Sequence, residues 1–216
     1  MVRKSGMGKL PGAILAGGLG QRMGGDKPLM ILAGLPLVAR VANRLAPQVD
    51  ALVLNANGDP ARFSGLAELH GVPVVADTVH GHPGPLAGLL AVMEWAAAQP
   101  CVQHVLTVPA DCPFLPHDLA ARLTAAAGPG PVLARTARPD GTTHTQPIVG
   151  LWPVALRDDL HHALVVEGVR RVNQWAARHQ PTFVDWPDTP LDPFLNLNTP
   201  DDLAAAEKLL AAYPVA

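Results

Sequence analysis

Short apolar runs alternate along this chain with longer amphipathic stretches, and the alternation predicts its elements. Residues 12–15 form an apolar run that predicts a short buried strand, leading straight into a glycine-rich loop over 16–27. Leu37, Val38, Val41 and Leu45 recur at helical spacing and predict a helix over 36–45. A second strand is expected over 51–54, ending at Asn55, and a third over 72–75, with Asp77 just beyond it. Residues 85–98 are rich in Ala and Leu and predict a helix, followed by a fourth strand over 104–108, a turn over 109–115 and a helix over 116–126. Further strands are expected over 131–134, 147–151 and 182–186, and helices over 154–165 and 169–179. The last helix has a marked start. Thr199 is placed as its N-cap, Pro200 at its first position and Asp202 three residues after the cap, with Asp201 and Asp202 favouring the positive end of the dipole.

Strands that are apolar almost throughout, alternating with helices, imply an α/β chain with a mostly parallel sheet covered on both faces. The second half alternates less regularly, which leaves room for an antiparallel strand or a hairpin. In such sheets ligands bind beyond the carboxyl ends of the strands. The residues to inspect are therefore 16–27, Asn55, Asp77 and 109–115.

Composition narrows the chemistry. The chain has 216 residues, 49% of them hydrophobic, enough for one domain with a sizeable core. We expect a domain over 12–216 preceded by a basic extension over 1–11. Only 16% of residues are charged and the net charge is −2, so neither a nucleic-acid coat nor a strongly charged surface is expected. A polyanionic ligand must be held by a local group of cations. The 23 Pro and 20 Gly residues punctuate the apolar runs as loops. A pairing of Cys101 with Cys112 is geometrically conceivable. Two cysteines do not make a disulfide framework, however, and a reducing compartment is expected. The basic start lacks an apolar signal region, and no run approaches membrane-spanning length, so neither secretion nor membrane insertion is expected.

The glycine-rich loop reads Leu15-Ala-Gly-Gly-Leu-Gly-Gln-Arg-Met-Gly-Gly-Asp-Lys27. Glycines after a first strand let backbone N–H groups approach phosphate oxygens. The dinucleotide fingerprint fails, because Met23 stands where its third glycine belongs. The Walker A pattern fails too: Asp26 occupies the place of its Lys, and Lys27 is followed by Pro28. What remains is a loop carrying two cations, Arg22 and Lys27. That pairing suits a triphosphate, Arg forking onto two oxygens and Lys supplying a mobile point charge. The alternative is a surface turn with solvated cations. In a loop of this kind, substitution of Arg22 or Lys27 is expected to act on turnover more than on stability.

Asp111, in Val108-Pro-Ala-Asp-Cys-Pro-Phe114, follows a buried strand and is fenced by prolines. A hard carboxylate there suits Mg2+ bridging phosphates, though a turn or cap Asp has the same appearance. Asp77 and Asn55, also after apolar strands, become credible as base, ribose or metal contacts when taken together with Asp111. Gly84 and Pro85 set up a tight helix entry whose N-terminus can face an anion. His80, His82, His161 and His162 have no Cys or acidic partner at metal spacing and read as ordinary histidines. Cys112 adjoins Asp111 without an evident His partner, so a nucleophilic role is not expected.

Taken together these residues resemble the molybdenum cofactor guanylyltransferase family. The segments carrying the resemblance are Leu15-Ala-Gly-Gly with Arg22-Met-Gly-Gly-Asp-Lys27, Asn55-Ala-Asn57, Asp77 with Pro83-Gly-Pro-Leu-Ala-Gly88, Pro109-Ala-Asp-Cys-Pro-Phe114, and Asn196-Leu-Asn-Thr-Pro-Asp-Asp202. The first alone marks a wide nucleotidyltransferase superfamily; the last, with the Asp26–Lys27 pair, narrows it. The resemblance implies a Rossmann-like, doubly wound domain and a cytoplasmic enzyme that uses GTP and Mg2+ to transfer GMP to molybdopterin, releasing pyrophosphate. It places Leu15, Ala16, Gly17, Gly18, Lys27, Asn55, Asp77 and Asp111 against GTP, Asp111 also against Mg2+, and Arg22, Lys27 and Asp111 in catalysis. Molybdenum cofactor, cofactor-insertion proteins and acceptor molybdoenzymes would be its partners, with no nucleic acid or membrane. Gln146-Pro147 matches only loosely, and the pterin side is the least defined. Two rival functions stay open: a cytidylyl- or uridylyltransferase acting on another phosphorylated acceptor, and a non-catalytic nucleotide-binding protein that delivers the cofactor.

Overall fold

The computed structural model describes residues 9–17, 26–79, 81 and 84–213. In chain order the elements are β1 (Pro11–Leu15), β2 (Ile31–Leu32), β3 (Leu35–Pro36), α1 (Leu37–Leu45), β4 (Ala51–Asn55), β5 (Val74–Val75), α2 (Pro85–Ala97), β6 (His104–Pro109), α3 (Leu119–Ala125), β7 (Val132–Ala137), β8 (Thr143–Pro153), α4 (Arg157–Val165), α5 (Val172–Ala176), β9 (Thr182–Pro187) and α6 (Pro200–Ala212). Seven strands form one sheet in the order β5-β4-β1-β6-β8-β7-β9. Within it, β8 runs antiparallel to both β6 and β7, and the other pairings are parallel. This is the mostly parallel, doubly wound sheet expected from the sequence, with its one reversed strand in the second half.

Neighbouring residues of the central strands go to opposite faces, so both faces are buried. Ile14, Leu54 and Leu106 pack with α1 and α3 residues such as Val38, Val41, Leu119 and Leu123. Ala13, Val53 and Val105 pack on the other side with α2, α4 and α5, where Trp152 and Trp175 stack at 5.7 Å. A third, smaller core joins Leu32, Leu37, Phe114, Leu197 and Ala206, and binds α6 to the β2–β3 hairpin. That hairpin was not expected. Two-residue strands carry too little alternation to be read, but its turn residues Ala33 and Gly34 both have positive φ.

The boundaries depart from expectation for local reasons. β5 is shorter than 72–75 because Pro73 has no N–H to contribute and its carbonyl alone is used, by Leu54 N at 2.9 Å. α3 begins at Leu119 and not at 116: residues 116–118 form a turn closed by Leu119 N on Pro116 O at 3.3 Å. The helix expected over 154–165 opens as a 3-10 turn, Val154–Leu156, and the one expected from 169 begins at Val172. β7 and β8 extend further than their apolar cores, and their pairing slips between Leu133, opposite Gly150, and Arg135, opposite Thr145. The slip is a bulge centred on 146–149, just past the last β6–β8 pair, Thr107 opposite Gly150, the kind of irregularity that re-aims side chains at the rim of a sheet.

Candidate active site

Strand register sets the rim. Leu15 lies level with Asn55 on one side and Pro109 on the other, and Asn55 lies level with Val75. The chain continues past that row in hydrogen-bonded steps: Ala16 N donates to Asn55 O at 2.8 Å, Ala56 N to Val75 O at 3.0 Å, and Ala110 N to Leu15 O at 3.0 Å. Parallel strands in this register deliver Asn55, Asp77 and Asp111 to one edge, where the sequence places them. Leu15, Ala16 and Gly17 lie between them. Gly18 and Arg22 lie outside the described residues, as do His80 and His82.

The rim residues separate into two groups. In the first, Asn55 is 1% exposed, and its Nδ2 donates to Val75 O at 3.2 Å and to Asp77 Oδ1 at 3.0 Å. Asn57 Nδ2 donates to Asp77 Oδ2 at 2.8 Å and Asp77 N returns a bond to Asn57 Oδ1 at 2.9 Å. Each Asp77 oxygen thus has one amide donor and keeps acceptor capacity for another. The helix α2 closes in behind: a Cβ on Gly88 would stand 2.3 Å from Asn55 Oδ1, so only glycine lets the helix backbone come this near.

In the second group Lys27 Nζ pairs with Asp111 Oδ2, and donates to Asn198 Oδ1 at 2.7 Å. The two charged side chains are 16% and 19% exposed, so the pair is only partly screened. Asp111 Oδ1 is buried and has no hydrogen-bond partner among the described residues. Lys27 is therefore tied into the fold and is not a solvated loop cation. Contrary to the sequence expectation, its substitution should reach stability as well as turnover.

Asn198 and Asn57 are absent from the set of contacts read from the sequence. Asn198 lies 171 residues from Lys27 and shares no pattern with it. It is held because the cap of α6 forms beside it: Asp202 Oδ2 accepts from Asn198 N at 2.8 Å and from Thr199 N at 2.9 Å, while Asp202 N donates to Thr199 Oγ1 at 3.1 Å. These backbone N–H groups, Asn198's foremost, hold the Asp202 carboxyl below the usual aspartate range. Leu197 N donates to Asp111 O at 3.1 Å, which brings the 196–198 segment alongside the Asp111 loop. Cys112 completes the join, its thiol donating to Asn196 Oδ1 at 3.4 Å and Phe194 O at 3.5 Å. Burial pushes that thiol well up, which keeps it protonated and unsuited to nucleophilic work. Both cysteines are free, Cys112 buried and Cys101 exposed. His161 and His162 lie on the exposed side of α4. Gln146 is buried at the β8 bulge and donates to Thr136 Oγ1 at 3.0 Å. No helix among the described residues is long and apolar enough to cross a membrane.

The MobA-like NTP transferase domain matches residues 12–182. The chain belongs to the MobA-like NTP transferase family. It is 53% identical over 204 residues to a molybdenum cofactor guanylyltransferase of Bradyrhizobium sp. (strain ORS 278), which spans 94% of this chain and 93% of that protein. It is 51% identical over 201 residues to a protein of the same name in Rhodopseudomonas palustris (strain BisB5), over 92% of this chain and 93% of the other. The fold of this MobA-like transferase agrees with the molybdopterin-guanine dinucleotide biosynthesis protein A of Archaeoglobus fulgidus. Their TM-score is 0.71 at 23% identity, over 94% of this chain and 99% of that one. As a member of the family the chain is a nucleotidyltransferase.

Proposed function

We propose that this transferase moves GMP from GTP to molybdopterin-type molybdenum cofactor, giving the guanine dinucleotide form and pyrophosphate, in the cytoplasm. The observation that carries the reading is the Asp111 carboxylate. One oxygen is paired with Lys27 and the other is buried without a partner among the described residues. An orphaned hard oxygen at the end of a buried strand is costly unless it has a use, and a divalent cation such as Mg2+ fits it. Asp111 would hold Mg2+, which when bound offsets phosphate charge.

In the reaction, an oxygen of the terminal phosphate of the acceptor forms a bond to the α-phosphorus of GTP. The bond from that phosphorus to the oxygen bridging to the β-phosphate breaks, and its electrons leave with pyrophosphate. The nucleophile is already an anion, so no strong general base is required. Alignment and charge neutralisation remain as the protein's task. Lys27 and Arg22 are assigned to the departing pyrophosphate, with Asn198 orienting the Lys27 ammonium. Asp77 presents acceptor oxygens, and guanine offers N1–H and N2–H2 donors along one edge. The relatives' names support guanine over cytosine, and Asp77 supplies chemistry compatible with it.

The test is pyrophosphate release on mixing the protein with GTP, Mg2+ and molybdopterin, with CTP and UTP as competitors. GTP is expected to be used best, and Asp111→Asn to lower kcat by roughly a thousandfold with the fold retained. Near-parental kcat in that variant at saturating Mg2+ removes the metal assignment, and better use of CTP replaces guanylyl with cytidylyl transfer.

A further inference from the structure

Asp26 immediately precedes Lys27, yet the nucleotide chemistry leaves it without a task. It is the N-cap of the 3-10 turn Lys27–Leu29, but its side chain makes no capping bond there. Its carboxylate goes instead to Arg62, with Nη1 to Oδ2 at 2.7 Å, the two side chains being 30% and 28% exposed. Arg62 lies in the 3-10 turn Pro60–Phe63, whose start is fixed by Asp59 accepting from Ala61 N at 2.9 Å. Its guanidinium lies 4.6 Å over the ring of Phe63, and Phe63 is anchored in the α1-side core. Arg62 Nε is buried without a partner among the described residues, so within them the guanidinium is held by its bond to Asp26 and its place over Phe63. The same loop carries Asn57, which fixes Asp77.

We infer that Arg62 is a positioning residue. Through Asp26 it ties the return of the glycine-rich loop to the loop after β4, and so sets Lys27 relative to Asp77. The inference rests on the GTP function proposed above, in which Lys27 and Asp77 act on opposite ends of one nucleotide. Those two residues follow different strands, β1 and β5, and Asn57 of the loop after β4 holds Asp77 in place. A preformed tie between the loops lowers the ordering cost of binding. A mere surface ion pair would contribute little to stability and nothing to affinity.

A double-mutant cycle separates these cases. Arg62→Ala, Asp26→Asn and the double variant are each expected to raise the Kd for GTP with Mg2+ by about tenfold, the double no more than either single. Arg62→Lys keeps the charge but loses the planar fork, and should recover only part of the affinity. Melting temperatures should stay near the parent's, and kcat at saturating GTP should change less than Kd. Unchanged affinity, additive losses, or a melting drop with affinity kept would overturn the tie. A nucleotide-free readout runs alongside: amide hydrogen exchange over residues 26–30 should accelerate several-fold in both single variants, and equal rates count against the tie. If the parent protein binds no GTP, the function proposed above fails, and the tie is decided by the exchange rates. If the parent binds GTP and the variants match it, the tie alone fails.

Discussion

Asn55 and Gly88 show how one missing methyl group shapes the Asn55–Asp77 side of the rim. Asn55 is buried and has one direction in which it meets both Val75 O and Asp77. The backbone of α2 passes so near its Oδ1 that an added Cβ would stand 2.3 Å away, with Asn55 Cγ at 3.2 Å and Asp77 Oδ1 at 3.6 Å. Gly88→Ala is therefore expected to cost about 1–3 kcal/mol of stability by overpacking. It should also displace Asn55 from Asp77 and weaken GTP binding. Urea unfolding and calorimetric titration with GTP check the two effects separately. A stability loss with affinity intact would mean that the Asn55–Asp77 contact has no part in nucleotide binding. Lys27 shows the opposite case, a residue whose importance comes from partners, Asp111 and Asn198, distant in sequence.

The N-terminus of α6 couples a helix cap to the site. Thr199 and Asp202 form a reciprocal capping box, and Asp202 also takes the N–H of Asn198, the residue that orients Lys27. Thr199→Ala should lower stability by about 1 kcal/mol, the usual cost of a lost N-cap. Acid should act on the same element. The folded-state pKa of Asp202 is depressed, first by the Asn198 N–H and then by Thr199, so its contribution is fully present above the ordinary aspartate pKa of about 3.9. It is lost as pH falls through the depressed folded value. Melting temperature followed from neutral to strongly acid pH should show a shallower acid limb in Asp202→Asn than in the parent; identical limbs would refute the linkage. The β8 bulge is a second element-level device. Thr107 Oγ1 donates to Ile148 O at 2.5 Å and accepts from Trp152 Nε1 at 2.7 Å, so the irregular stretch is pinned to β6 from within the core.

Among the described residues three apolar cores form, and the smallest has the most to do with bringing the Asp111 loop and α6 together. Leu32, Leu37, Phe114, Leu197 and Ala206 bring the β2–β3 hairpin, the loop after Asp111 and α6 into one cluster. Leu197 is 0% exposed, and its N–H binds Asp111 O. Leu197→Ala should cost about 2–5 kcal/mol as the cavity is only partly refilled. If the cluster joins its elements to the main sheet cooperatively, urea unfolding followed by far-ultraviolet circular dichroism and by tryptophan fluorescence will move to a lower midpoint together. Two separate transitions would show that α6 and the hairpin form an independent unit.

The apolar runs made the central strands and the order of elements legible, because a strand buried on both faces must be apolar at nearly every position. Thr199, Pro200 and Asp202 likewise announced the start of α6, since capping is local chemistry among residues within one turn. The carboxyl-end rule marked Asn55, Asp77 and Asp111 before any contact was known. Sequence spacing could not show that Asn55 binds Asp77 while Asp111 binds Lys27, that Asn198 joins the second pair, or that Asp26 belongs to Arg62. Those pairings depend on strand order and register, which bring together residues from loops far apart in the chain. The short strands β2 and β3 escaped notice for a related reason: two residues hold too little pattern to read, and their pairing is decided by the neighbours against which the folded chain sets them.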